Sequence, residues 1–211
     1  SRDWSSDVCS SDLINNRWIT GTHRLTAHPR DIPRGQWIDV GDRFLPCLFN
    51  ELVEFVEIEL AWWHIAWADE DVRKKYAAPW YSTGWFRWRT WRCPEAGMEY
   101  LEWASSLKND DPNSPRHNEP TPQAEAAMEM MELYKWWTEE YPNRPDPHEA
   151  SGWSEWCATR RDIFDFDNDT PEEREQSHKI LQIANEIEDK YSQEEEDMMI
   201  RLIRIRESLW T

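Results

Sequence analysis

Glycine is scarce in this 211-residue chain, with six residues at positions 21, 35, 41, 84, 97 and 152. None of them belongs to a G-x-G-x-x-G or G-x-x-x-x-G-K-[ST] run, so the Gly-rich loops that cradle phosphates in dinucleotide-binding and P-loop folds are excluded. Long apolar runs are missing as well, and nothing approaches the roughly 18 consecutive apolar residues of a membrane-spanning helix. Cysteine is sparse: Cys9, Cys47, Cys93 and Cys157 contain no C-x-x-C pair. That spacing gives neither a disulfide framework nor a zinc site, and the thiols read as small buried hydrophobes in a reducing compartment, the cytosol. A Gly-x-Ser-x-Gly elbow is absent, and no Cys stands close to a His in sequence, so no local nucleophile and base can be named.

The first thirteen residues, SRDWSSDVCSSDL, lack a Met start and lack the basic, apolar and small-residue succession of a signal peptide. Asp7 to Leu13 resembles the in-frame translation of a common sequencing adapter. That resemblance implies an assembly scar in a sequence recovered from environmental DNA, and residues 1–13 are set apart from the fold.

What the chain has in abundance is tryptophan, 16 residues, within a composition that is 39% apolar and 31% charged. Such a composition fits a soluble globular protein rather than a disordered one. At roughly 150 residues per domain, the length predicts one domain, or one with a helical appendage. The net charge of −18 is unevenly divided: residues 14–100 carry 11 bases against 12 acids, residues 101–211 carry 12 against 27. An acidic half of this kind excludes duplex DNA as its partner, because phosphate binding needs Lys and Arg. It suits solubility, a basic partner or nucleic-acid mimicry.

The periodicity predicts a mainly α fold of six or seven helices in an irregular bundle. An irregular arm covers 14–41, with a short strand at Trp37 to Val40. A Trp-rich helical part covers 42–107. From Asp42 the apolar residues Phe49, Leu52, Val53, Val56, Leu60, Trp63 and Trp67 recur at helical spacing. A short helix follows from Asp69 to Ala78, and Pro94 opens another with Met98, Leu101, Ala104 and Leu107 facing inward. Residues 108–122, rich in Asn, Asp, Pro and Ser, form a loop or linker and the candidate domain boundary. The acidic part, 123–211, begins with a helix capped by Thr121 and Pro122. It closes with two helices, opened by capping boxes at Thr170–Glu173 and Ser192–Glu195, that form an antiparallel hairpin.

Several residue sets are candidates for chemistry. Glu54, Glu57 and His64 would lie along one side of a helix and could hold Mg or Mn. The pair Glu54-x-x-Glu57 resembles, in part, the magnesium-binding helix of all-α nucleoside-triphosphate pyrophosphohydrolases of the MazG type. Their second motif, Glu-x-x-Asp, has counterparts here only at Glu186–Asp189 and Glu194–Asp197, far along the chain. Asp165, Asp167 and Asp169 match the first positions of a calcium loop, which Thr170 and Gln176 then break. Glu175-x-x-His178 has di-iron spacing but no second copy. From Val72 to Pro94 there are six bases and no acid. There Arg73, Lys74, Lys75, Trp85, Arg87, Trp88, Arg89, Trp91 and Arg92 make either a single-strand nucleic-acid or partner patch, or aromatic core with arginines packed on it.

The stretch PTPQAEAAMEMMELYKWWTEEYPNRPDPHEASGW and the ending DMMIRLIRIRESLWT resemble small acidic proteins of tailed bacteriophages. That resemblance implies the cytoplasm of an infected bacterium and no particular activity. The sequence therefore leaves three readings. The first is a non-enzymatic protein-interaction module with no cofactor. The second is a Mg- or Mn-dependent nucleotide hydrolase using Glu54 and Glu57. The third is single-strand binding through the Trp/Arg patch.

Overall fold

The computed structural model describes residues 27–209 except 29, 34, 68–69, 78, 80–90 and 160–169. Among these, regular structure is helical, and the one β pairing is an isolated antiparallel bridge between Lys108 and Pro120. The strand expected at Trp37 to Val40 is not formed. Its residues lead without regular structure into a helix that starts at Val40. No helix among the described residues is long and apolar enough to cross a membrane.

The chain divides into two compact units, one of residues 1–135 with 201–211 and one of residues 136–200. The division does not fall in the 108–122 segment. That segment is an ordered loop within the first unit, in which the amides of Asn109, Asn118 and Thr121 bond to the carbonyls of Glu119, Asn109 and Leu107. It returns the chain sharply, with Asn118 in the left-handed region at φ 64°.

In the first unit, α1 (Val40–Glu54) continues through a π-helical turn (Phe55–Leu60) into α2 (Ala61–Ala66), followed by α3 (Glu70–Lys75), α4 (Pro94–Ser105) and α5 (Pro122–Lys135). α4 packs against the π turn, α2 and α5, and α5 also meets α1. Phe49, Leu52, Val56, Ile65, Leu101 and Leu133 are essentially inaccessible to water. As the sequence predicts, Thr121 caps α5, its hydroxyl accepting the Ala124 amide at 3.1 Å, with Pro122 in the first turn.

The π turn corrects the predicted face of the first helix. A turn bonded i to i+5 contains one residue more than an α turn, so everything beyond it rotates by about 100°. The buried stripe therefore moves from the predicted Trp63 and Trp67 to Ala61 and Ile65, both fully buried. Trp63 becomes half-buried and Trp67 is 75% exposed.

α4 fixes this geometry from outside. The Glu57 carbonyl accepts the Cys93 amide at 2.9 Å, at the start of α4. One turn later a Cβ on Gly97 would lie 2.0 Å from the Val56 carbonyl oxygen, so only glycine lets the two backbones approach this closely.

In the second unit, a π turn (Trp136–Glu140) and a 3₁₀ turn (Tyr141–Asn143) precede the short α6 (Pro147–Ala150) and α7 (Trp153–Ala158). Asp146 caps α6 by accepting the amides of His148 and Glu149. α8 then runs without a break from Pro171 to Arg204. Its residues through Ile200 are counted with the second unit and Arg201 onward with the first.

The capping box at its start is formed as expected. The Thr170 amide donates to the Glu173 carboxylate at 2.8 Å, and the Glu173 amide to the Thr170 hydroxyl at 3.3 Å. The second box is not used, and the predicted hairpin is instead one helix of 34 residues. Ser192-x-x-Glu195 has the spacing of a box, but no Pro or Gly interrupts the helix there. The inward-facing residues continue through Ala184, Ile187, Tyr191, Met198 and Leu202 at helical spacing.

Candidate functional site

The predicted metal array separates into two ion-pair groups. Glu54 and Glu57 both receive Arg92, whose Nη2 donates to Glu54 at 3.1 Å and whose Nη1 donates to Glu57 at 2.7 Å. The other oxygen of Glu57 accepts the Tyr134 hydroxyl at 2.9 Å. Burial, and then the adjacent Glu57 carboxylate, push the Tyr134 phenol well above its ordinary pKa, so it remains a donor at neutral pH. A guanidinium and a phenol thus occupy the Glu57 carboxylate, on the rim of a polar cavity of about 300 Å³ that also meets His28, Arg30 and Asn50.

His64 belongs elsewhere. The extra residue of the π turn carries it away from the two glutamates, and its ring stands edge-on to Tyr76 and Tyr100 at 6.4 and 6.3 Å. Its Nε2 lies 3.9 Å from Glu99, whose carboxylate Lys75 engages at 2.5 Å. Among the described residues, no group of three His, Cys, Asp or Glu side chains is placed to hold a metal ion.

The described members of the basic patch are likewise engaged within the first unit. Arg73 donates to the carbonyls of Ile65 and Ala66, closing the end of α2. Lys74 lies within 3.6 Å of Glu70 and 4.0 Å of Asp71. Trp91 packs on a cluster formed by Ala61, Ile65, Cys93 and Ala96. The acids that meet these cations come from residues 54–99. Trp85, Arg87, Trp88 and Arg89 lie outside the described residues, as do Asp165, Asp167 and Asp169.

Glu175 pairs with Lys179 at 2.6 Å on the exposed face of α8, and His178 is exposed on the same helix. Cys47 and Cys93 are buried, and burial raises both thiols above their ordinary pKa, which disfavours the thiolate a nucleophile needs.

The feature that sequence reasoning missed is an apolar cleft of about 340 Å³ in the first unit. Phe55, Leu60, Trp63, Tyr100, Ala126 and Met130 are among its walls. The polar side chains of Gln123 and Ser208 also line the cleft. Two exposed indoles stand beside rings that line it. Trp67 lies 5.6 Å from the Trp63 ring and is 75% exposed, and Trp103 lies 5.4 Å from the Tyr100 ring and is 53% exposed.

Phe55 and Leu60 of the π turn and Trp63 just beyond it line the cleft, and no periodicity in the sequence announces that turn. Comparison of the chain with known protein families, with curated proteins and with solved structures finds no match.

Proposed function

We propose that the protein is a non-enzymatic interaction module, and that the cleft beside Trp63 and Tyr100 takes an apolar anchor from a partner protein. The observation that carries this reading is the clustering of half-buried and exposed aromatics around one concavity. Single exposed apolar residues are ordinary, whereas a contiguous aromatic patch marks an interaction surface, and tryptophan is the residue most enriched at binding hot spots.

One wall of the cleft, Ala126 and Met130, belongs to α5 in the acidic half of the chain, where a partner segment with basic residues flanking an aliphatic or aromatic anchor is suited. The setting implied by the resemblance to small phage proteins is an accessory role in the cytoplasm of an infected bacterium. The alternative metal-hydrolase reading needs Glu54 and Glu57 free to ligate, and their engagement with Arg92 counts against it. Nothing among the described residues favours single-strand binding over it.

A peptide-display library panned on the full chain, with counter-selection on a Trp67→Ala/Trp103→Ala variant, tests the proposal. Both side chains are more than half exposed, so the variant keeps the core. Enrichment of peptides with an apolar anchor beside Lys or Arg, binding the parent chain and not the variant, is the expected result. Peptides that bind both equally would show that the aromatic patch around the cleft is not the docking surface.

A further inference from the structure

In the second unit the side chain of Arg144 fills an aromatic and acidic cage. Its guanidinium lies over the rings of Trp136, Tyr141 and Tyr191, at 5.1, 4.9 and 4.8 Å from their centroids. Its nitrogens lie 2.9 Å from Glu194 and 3.0 Å from Glu195. Glu194 is held in turn by the Trp136 indole N–H at 2.6 Å, and Tyr191 donates to the Pro145 carbonyl at 3.2 Å. The walls come from the π turn, the 3₁₀ turn and α8. Ring faces attract a cation, Nη1 donates to Glu195, and Nη2 is ion-paired with Glu194, so this is the chemistry that recognises an arginine side chain.

We propose that the cage is an exchangeable guanidinium site, with Arg144 as its resident ligand and an arginine side chain of a partner as its competitor. The position of Arg144 suits exchange. Its side chain is only 13% exposed, but its backbone is extended and its neighbours Asn143, Pro145 and Asp146 are exposed. It stands between the 3₁₀ turn and the Asp146 cap of α6, so its side chain can leave without unwinding a helix. The site is independent of the cleft in the first unit.

The full chain carrying Arg144→Ala should bind methylguanidinium with a Kd on the order of 1 mM. It should bind methylammonium about tenfold more weakly, because a point charge lacks the planar fork. Calorimetry reads both affinities, with the parent chain at the same concentrations as the control for denaturant effects. A folded variant that binds neither ion, or both alike, would overturn the site.

A second measurement uses the parent chain and does not depend on the variant folding. N-acetyl-arginine amide is titrated in while the Arg144 Nε–H is followed by NMR. Release of Arg144, seen as a ligand-dependent shift and faster proton exchange, supports exchange. An unchanged Arg144 signal at saturating ligand would overturn it and make the contact a fixed structural lock.

Discussion

Both units contain a π turn rich in aromatic or apolar residues, and the two turns have opposite consequences. In the first unit, Phe55–Leu60 rotates the helix beyond it, so that Trp63 and Trp67 leave the core and Ala61 and Ile65 enter it. In the second, Trp136–Glu140 carries its own two tryptophans inward, where Trp136 and Trp137 are 2% and 6% exposed.

The difference lies in what each turn packs against. The first is pressed by a helix backbone at Gly97, and its unit buries aliphatic side chains such as Leu52, Leu101 and Leu133. The second is filled by rings and a guanidinium. Trp137 stacks on Tyr141 at 4.7 Å, and the described hydrophobic residues buried in that unit are three tryptophans and Ala184. The first unit buries an aliphatic core, whereas the described core of the second is aromatic, with Arg144 packed on its rings.

Substitutions that remove one kind of contact should sharpen the comparison. The largest effect is expected for Gly97→Ala. The added methyl meets a carbonyl that cannot swing aside, so the helices must part, at a cost of roughly 3 kcal/mol or more. Chemical denaturation should show a much lower midpoint, and a change within about 0.5 kcal/mol would mean that the close approach does not hold the π turn.

Next comes Arg144→Lys, which keeps the charge but loses the fork and the stacking plane. It should destabilise the second unit by about 2 kcal/mol, visible as faster hydrogen exchange over residues 136–147 with the first unit unchanged. Equal protection would make the charge alone sufficient.

A smaller effect concerns Arg201, which donates to Glu129 at 2.6 and 2.9 Å within the first unit. Its hydrogen bonds hold the Glu129 carboxyl below the ordinary carboxylate pKa. A folded-state pKa below the unfolded one adds stability that is fully present above the unfolded value, about 4.3, and fades as the pH falls through the folded value. Arg201→Met should therefore cost about 1–2 kcal/mol at pH 7. In urea melts, that gap from the parent chain should shrink below about pH 4. A gap that stays constant with pH would assign the loss to packing.

The helical class, the α5 cap, the Pro94 start and the Thr170 box are all legible in the sequence because each is a local signal: a period, a proline or a hydroxyl three residues before a glutamate. The break after Tyr191 is misread because Ser192-x-x-Glu195 has the spacing of a cap inside a stripe that never stops. The outward turn of Trp67 is illegible because an i to i+5 turn leaves no mark on composition or spacing. Gly97, whose backbone packs against the turn, stands some forty residues later in an otherwise ordinary helix.

Glu54 and Glu57 are correctly placed near each other by their spacing. That Arg92 and Tyr134 would reach them follows from helix packing across 35 and 77 residues, which no local pattern encodes. The Arg144 cage likewise joins residues on either side of a long sequence gap, and only Pro142, Pro145 and Pro147 hint that the backbone around Arg144 is restricted.

The most direct test of the central claim is calorimetry of one cleft-selected peptide against the parent chain and the Trp67→Ala/Trp103→Ala variant. The account predicts binding at least about tenfold weaker in the variant, with an unchanged melting midpoint. Equal affinity for both proteins would contradict it.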